Sequence, residues 1–147
     1  MDELEKSMRK CLANTFVMYF KTHGFHWNVE GINFPQYHKF LNDLYDDLYG
    51  AVDPLAEEIR ALGFYAPRGL NELYADADIV DSDIKGDNIR DMLAALLSDN
   101  TRVTACLLES FGIAAKLNQQ GLCNFLADRI DTHKKHGWML TASLKGI

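Results

Sequence analysis

The spacing of apolar residues predicts helices along most of the chain. In the first segment they recur at intervals of three or four residues, as one face of a helix requires: Leu4, Met8, Leu12, Phe16 and Tyr19. We expect this helix to run from Met1 to about Asn28, because the segment contains no proline and a single glycine. A tight connection follows at residues 30–32.

A second helix is predicted to begin with Asn33 as its N-cap and Pro35 in its first turn, and to end at Gly63, whose freedom at positive φ suits a C-terminal cap. Its apolar positions keep the helical spacing: Phe40, Leu41, Leu44, Leu48, Val52, Leu55, Ile59 and Leu62. Proline removes a backbone hydrogen bond, so at Pro54 we expect either a kink or a break in which Asp53 caps a new helix.

Residues 64–86 are rich in glycine, proline and acids, which predicts a long crossover with a short helix at Asn71–Tyr74. Asp87 is the expected cap of a third long helix that ends near Lys116. The apolar positions of this helix are Met92, Leu93, Leu96, Val103, Leu107 and Phe111. A fourth helix is expected to follow residue 119 or 120, with apolar positions Leu122, Phe125, Leu126, Ile130, Leu140 and Leu144.

Four long helices with short, long and short connections predict an all-α, ferritin-like four-helix bundle whose long crossover carries a short helix. The 147 residues fit a single domain over 1–147, and an apolar content of 48% with few glycines and prolines argues against disorder or a β-sandwich. The sequence therefore predicts one helical domain with one core.

The net charge of −6 favours cations over phosphate, so nucleic acid is not the expected partner. Direct DNA binding needs clustered positive charge, whereas residues 1–10 balance three acids with three bases. Three widely spaced cysteines, Cys11, Cys106 and Cys123, indicate buried or idle thiols in a reducing compartment. With no signal-like or membrane-spanning pattern, we expect a soluble, cytoplasmic protein.

Two histidines and two carboxylates form the candidate chemistry. His26 ends the first helix and His38 begins the second, so the short link between antiparallel helices brings them close. Asp53 and Glu57 share one face of the second helix, about 22 Å along it from His38. If all four bind one metal, the histidines and carboxylates come from different subunits, most simply across a twofold axis. For Asp53, capping a broken helix is the open alternative.

An ordinary ferritin centre is disfavoured, because intrasubunit di-iron bundles use Glu-x-x-His and this motif is absent from the chain. Elsewhere, we interpret His23 as a surface histidine rather than a residue supporting the metal ligands. His133 and His136 lie with two lysines near the end of the last helix, where positive charge suits the helix dipole.

Residues spread over the first two helices match the pattern of a known family: His26-Trp27-Asn28, Gly31, Phe34, His38, Asp53 and Glu57. The likeness continues near the C-terminus: Arg129, His133, Lys134 and Trp138-Met139-Leu140. Over nearly its whole length, the chain thus resembles the Dps family (DNA-binding protein from starved cells), the small dodecameric ferritins.

The resemblance implies a hollow dodecameric shell that oxidises Fe(II), preferably with hydrogen peroxide, stores the ferric product and protects against oxidative damage. It implies that His26 and His38 bind iron together with Asp53 and Glu57 of a neighbouring subunit at a dimer interface, making the protein a ferroxidase. Trp27 matches the family's tryptophan beside the site. Other divalent metals, such as zinc, would fit the same ligands.

One position departs from this pattern. The family usually has aspartate four residues after its second histidine, and this chain has Asn42, a neutral and weaker ligand. The change predicts slower catalysis or a centre that holds one metal rather than two. A non-catalytic shell or metal-binding protein is therefore the alternative function, with a DNA-compacting member of the family as a further one.

Overall fold

The computed structural model describes residues 1–81 and 88–147, which form five helices and, within those ranges, no strand. The helices are α1 (Asp2–Asn28), α2 (Phe34–Ala61), α3 (Leu70–Ala75), α4 (Ile89–Lys116) and α5 (Gln120–Ser143). The order of four long helices with a short helix in the crossover confirms the predicted ferritin-like bundle. The expected cap Asp87 lies outside the described residues, and Asn88 caps α4 by accepting from the backbone N–H of Asp91.

Helix α2 ends before Gly63, as the sequence predicts, and it does not break at Pro54. Gly63 has φ +100°, and the amides of Gly63 and Phe64 donate to the carbonyls of Arg60 and Ile59, which closes the helix in a Schellman motif. Because α2 is continuous through Pro54, Asp53 lies inside a helix and the N-cap interpretation of Asp53 is wrong.

The core lies between two helix pairs, with α1 packed on α2, α4 packed on α5, and α1 joining the pairs through α4. All but Met18 of its largest fully buried side chains come from the predicted apolar stripes: Leu4, Met8, Met18, Leu41, Leu48, Leu55, Ile59, Met92, Leu93, Leu96, Leu107 and Leu126. Burying each such side chain contributes about 1.5–3 kcal/mol. The four long helices therefore form a rigid frame for the polar groups between them.

The crossover is fixed to α1 by polar side chains. Arg9 donates to the carboxylates of Glu72 and Asp76. Asn14 donates to Asp78 and also accepts from the backbone N–H of Asp78. Three acids of this segment are thus structural partners of α1.

None of the helices within residues 1–81 and 88–147 combines the length and apolar character that crossing a bilayer requires.

Candidate metal centre

His26 and His38 hold each other in a fixed arrangement at the turn between α1 and α2. Their rings are stacked, with centroids 3.8 Å apart and planes 14° from parallel. Nδ1 of His26 lies 2.7 Å from the carbonyl oxygen of His38, and Nδ1 of His38 lies 2.8 Å from the carbonyl oxygen of His26. The predicted proximity of the two histidines is confirmed.

The reciprocal hydrogen bonds determine which ring nitrogens of His26 and His38 can bind a metal. A carbonyl oxygen only accepts, so Nδ1 carries the proton in both rings. In a neutral imidazole this leaves the lone pair on Nε2, which is the form that ligates metals. His26 is only 8% exposed and His38 is half-buried, so packing limits the movement of both rings. Two oriented nitrogen donors are therefore available side by side.

Asp53 and Glu57 lie four residues apart on α2, and both are exposed. Because α2 is one helix, fifteen residues separate Asp53 from His38 by about 22 Å. In the part of the chain that the structure describes, no three His, Cys, Asp or Glu side chains come together to hold a metal ion. The histidine pair and the carboxylate pair are therefore separate from each other in a single chain.

Asn42 and Trp27 flank the histidine pair. Asn42 lies one turn beyond His38 on α2, is half-buried, and donates its amide to Asp46 at 3.3 Å. Trp27 follows His26 at the end of α1, is 58% exposed, and packs edge-on against Phe20. More than half of the Trp27 side chain is thus exposed in a single chain.

His23 is part of an aromatic cluster, so its interpretation as a surface histidine is wrong. Its ring stacks on Tyr45 with centroids 3.8 Å apart and packs on Trp27 at 4.2 Å. Nδ1 of His23 is 2.9 Å from the hydroxyl of Tyr19. Burial, with a smaller contribution from His26, lowers the pKa of His23. The cluster supports the last two turns of α1, which position His26.

A partly buried ion-pair network on α2 and α5 was not predicted from the sequence. Arg129 donates two hydrogen bonds of 3.0 Å to the two carboxylate oxygens of Asp47, and His136 Nε2 lies 2.6 Å from Asp47 Oδ2. Burial alone would raise the pKa of Asp47, but the hydrogen bonds from His136 and Arg129 outweigh it and hold that pKa well below its usual range. The network ties α5 to the middle of α2.

His133 extends this network into the core. Nε2 of His133 accepts from Arg129 at 3.1 Å, so Nδ1 carries the proton and donates to Asn100 Oδ1 at 2.8 Å. Burial and the neighbouring Arg129 lower the pKa of His133 to about 3, so the ring is neutral at pH 7. The helix-dipole interpretation of His133 and His136 is therefore wrong, since both are buried. The one signal in the sequence was the four-residue spacing from Arg129 to His133.

Known proteins match the whole length of this bundle. A family model described as a ferritin-like domain matches residues 5–147. The "DNA protection during starvation protein" of Brevibacillus brevis is 30% identical over 139 residues, covering 94% of this chain and 92% of the relative. The chain belongs to the Dps family of ferritin-like proteins.

Solved Dps structures agree with this one over nearly every residue. A Dps protein of Vibrio cholerae O1, described as a member of the ferritin-like diiron-carboxylate superfamily, has a TM-score of 0.92 at 27% identity. That match covers 98% of this Dps chain and 90% of the other. Antigen TpF1 of Treponema pallidum also has a TM-score of 0.92, at 29% identity, covering 97% of this chain and 92% of its own. The bundle and its crossover are thus common to these proteins.

Proposed function

We propose that this Dps chain is a subunit of an iron-storing shell that oxidises Fe(II) with hydrogen peroxide at sites shared between two subunits. Membership of the Dps family supports iron storage and protection against oxidative damage in the broad sense. The observation that carries the finer proposal is the reciprocal bonding of His26 and His38, which leaves two Nε2 lone pairs side by side. Nitrogen donors fixed in this way suit Fe(II) and exclude hard ions such as Mg²⁺.

The remaining ligands come from a second copy of the chain. The exposed carboxylates of Asp53 and Glu57 are too far along α2 to reach the histidines of their own chain. A twofold axis between antiparallel α2 helices places each carboxylate pair opposite the partner's histidines. The donor set of two imidazoles and two carboxylates carries the charge that stabilises Fe(III) over Fe(II).

The surface formed by α1, α2 and α3 has the character of a subunit interface. It carries large apolar side chains that one chain leaves exposed: Phe20, Trp27, Tyr49, Leu70 and Tyr74. Phe20, Leu70 and Tyr74 line an apolar cavity of about 450 Å³ between α1 and α3. Tyr49 lies one turn before Asp53 on the same face of α2. A monomer rarely exposes such a patch, so we infer that the partner covers it and closes the site.

Within this site each residue has a defined task. His26 and His38 supply neutral donors and hold their own Nδ1 protons on backbone carbonyls, so they need no reorientation when Fe(II) arrives. Asp53 and Glu57 supply negative charge, and Trp27 excludes water once the partner packs on it. Hydrogen peroxide takes one electron from each of two Fe(II) ions and two protons, giving two Fe(III) and two waters.

Anaerobic loading with Fe(II), followed by hydrogen peroxide, tests the proposal through the growth of ferric absorbance. We expect oxidation well above the rate in buffer, and a loss of about tenfold or more in Asp53→Asn. Asp43→Asn is the matched control, because Asp43 is an exposed carboxylate of the same helix paired only with Lys39 among the described contacts. Wild-type oxidation no faster than in buffer would exclude a ferroxidase and favour the non-catalytic shell.

DNA compaction is the less favoured function. The name of the Brevibacillus relative refers to DNA protection. Protection of DNA does not by itself require that the protein bind DNA. Here the net charge of −6 and the balanced charges of residues 1–10 oppose counterion release from phosphate. We expect no gel shift of duplex DNA even at low salt.

A further inference from the structure

Two cysteines far apart in the sequence meet inside the bundle. Cys11 of α1 and Cys106 of α4 are both buried, and their Sγ atoms lie 2.9 Å apart. The sulfurs of a disulfide are separated by about 2.05 Å, so these two need to approach by less than about 1 Å. Such a shift is within the side-chain movement of two packed helices.

The surroundings of the pair hold both thiols in place. The thiol of Cys11 donates to Sγ of Cys106, and the thiol of Cys106 faces the carbonyl oxygen of Ser7 at 3.6 Å. Ser110 Oγ lies 3.2 Å from Cys11 Sγ and 2.6 Å from Ser7 Oγ. The two sulfurs therefore already face each other at the shortest of these contacts to either sulfur.

We propose that Cys11 and Cys106 are a two-electron redox site, which hydrogen peroxide oxidises to an intramolecular disulfide that joins α1 to α4. One sulfur attacks a peroxide oxygen as the O–O bond breaks, giving a sulfenic acid and water. The second sulfur displaces the hydroxyl group, which leaves as a second water with the remaining thiol proton. Two thiols are oxidised and one peroxide is reduced to two waters.

The reaction is slow, since the thiolate is the nucleophile and this site disfavours it. The interaction with the neighbouring Cys11 thiol and burial both raise the pKa of the Cys106 thiol. Peroxide reaches the pair through local openings of the bundle. The disulfide thus forms under prolonged oxidant exposure and links α1 covalently to α4. It closes a loop of 95 residues between Cys11 and Cys106, which stabilises the folded state.

The test uses the assembled protein after metal removal with a chelator, so that its outcome is independent of iron oxidation. The protein is exposed to hydrogen peroxide, with glutathione in a separate parallel sample as the reference thiol, and is then denatured, alkylated and digested with trypsin. The three cysteines fall in separate tryptic peptides, 11–21, 103–116 and 117–129. We expect a cross-link of 11–21 to 103–116, about 2 Da lighter than the two peptides together, that dithiothreitol abolishes. Cys123 should remain alkylated.

Three variants complete the design. Cys123→Ser removes a third buried cysteine outside the pair and should cross-link as the wild type does. Cys11→Ser and Cys106→Ser should give no cross-linked peptide; if either fails to fold, wild type and Cys123→Ser still decide the question. The proposal is overturned if all three thiols can still be alkylated after an exposure to peroxide several times longer than glutathione needs for complete oxidation. A cross-link through Cys123, or Cys11 converted to sulfinic acid without a cross-link, would overturn it equally.

Discussion

At the scale of single residues, the reciprocal bonding of His26 and His38 determines which of their atoms can bind a metal. The short link between two antiparallel helices was enough to predict that His26 and His38 lie close together. Their exchange of hydrogen bonds through each other's backbone carbonyls was not predictable, because it depends on the rotation of both helices about their axes. The tautomer that leaves a metal-binding lone pair on both Nε2 atoms is therefore known only from the structure.

Asn42 provides a prediction about charge at the site. Asn42→Asp adds a carboxylate one turn from His38, and we expect peroxide-dependent Fe(II) oxidation to become several-fold faster, because negative charge stabilises Fe(III). Stopped-flow ferric absorbance measures the rate. Asn124→Asp is the control, because it adds the same charge at an exposed position of α5. Equal rates in the two variants would remove the missing charge as the limiting factor.

His133 provides a prediction about pH. Its pKa of about 3 in the folded protein is below the value of about 6.5 in an unfolded chain, so the unfolded state binds the extra proton between these limits. Stability is complete above about pH 6.5 and falls as the pH is lowered, by at most about 1.4 kcal/mol per pH unit from this residue. Chemical denaturation measures the free energy of unfolding between pH 6.5 and 4.5. This free energy should change less steeply with pH in His133→Gln than in the wild type.

The interval from pH 6.5 to 4.5 also distinguishes the titration of His133 from that of Asp47. Asp47 has a depressed pKa, so its contribution to stability is lost only as the pH falls below the usual range of aspartate. An unchanged slope in His133→Gln would mean that His133 titrates alike in the folded and unfolded states, contrary to its burial.

At the scale of helices, periodicity predicted each long element to within a few residues, because each helix buries one continuous apolar stripe. What it could not decide were features that depend on neighbouring elements. Packing keeps α2 continuous through Pro54, although the local sequence permits a break. The partners of buried polar groups, such as Asp47 with Arg129 of α5, lie far along the chain and leave no periodic signal.

Lys21 of α1 and Asp99 of α4 form such a long-range pair, at 2.9 Å and almost fully buried. Asp99→Asn leaves the ammonium group of Lys21 buried without its counter-charge, and we expect a loss of about 3 kcal/mol in the free energy of unfolding. Urea denaturation at neutral pH measures it. Asp43→Asn, in the exposed Lys39–Asp43 pair, should cost less than about 0.5 kcal/mol. Equal effects would show that the buried pair contributes no more than the surface pair.

At the scale of the whole molecule, one chain contains both halves of the candidate site but cannot bring them together. The histidine pair lies at the turn between α1 and α2, and the carboxylates lie about 22 Å along α2. The rise per residue of a helix was enough to predict this separation from the sequence. A break at Pro54 could have shortened the distance, but α2 is continuous through Pro54. Which surfaces meet in the assembly could not be predicted, since interface geometry is not encoded in periodicity.

Mixing two inactive variants tests whether two subunits share each iron site. One carries His26→Ala with His38→Ala, and the other carries Asp53→Asn with Glu57→Gln. After dissociation and reassembly in equal amounts, half of the dimers are mixed, and each mixed dimer has one intact site and one lacking all four ligands. We predict about a quarter of the wild-type rate of peroxide-dependent Fe(II) oxidation. A mixture no more active than either variant alone would contradict the shared site.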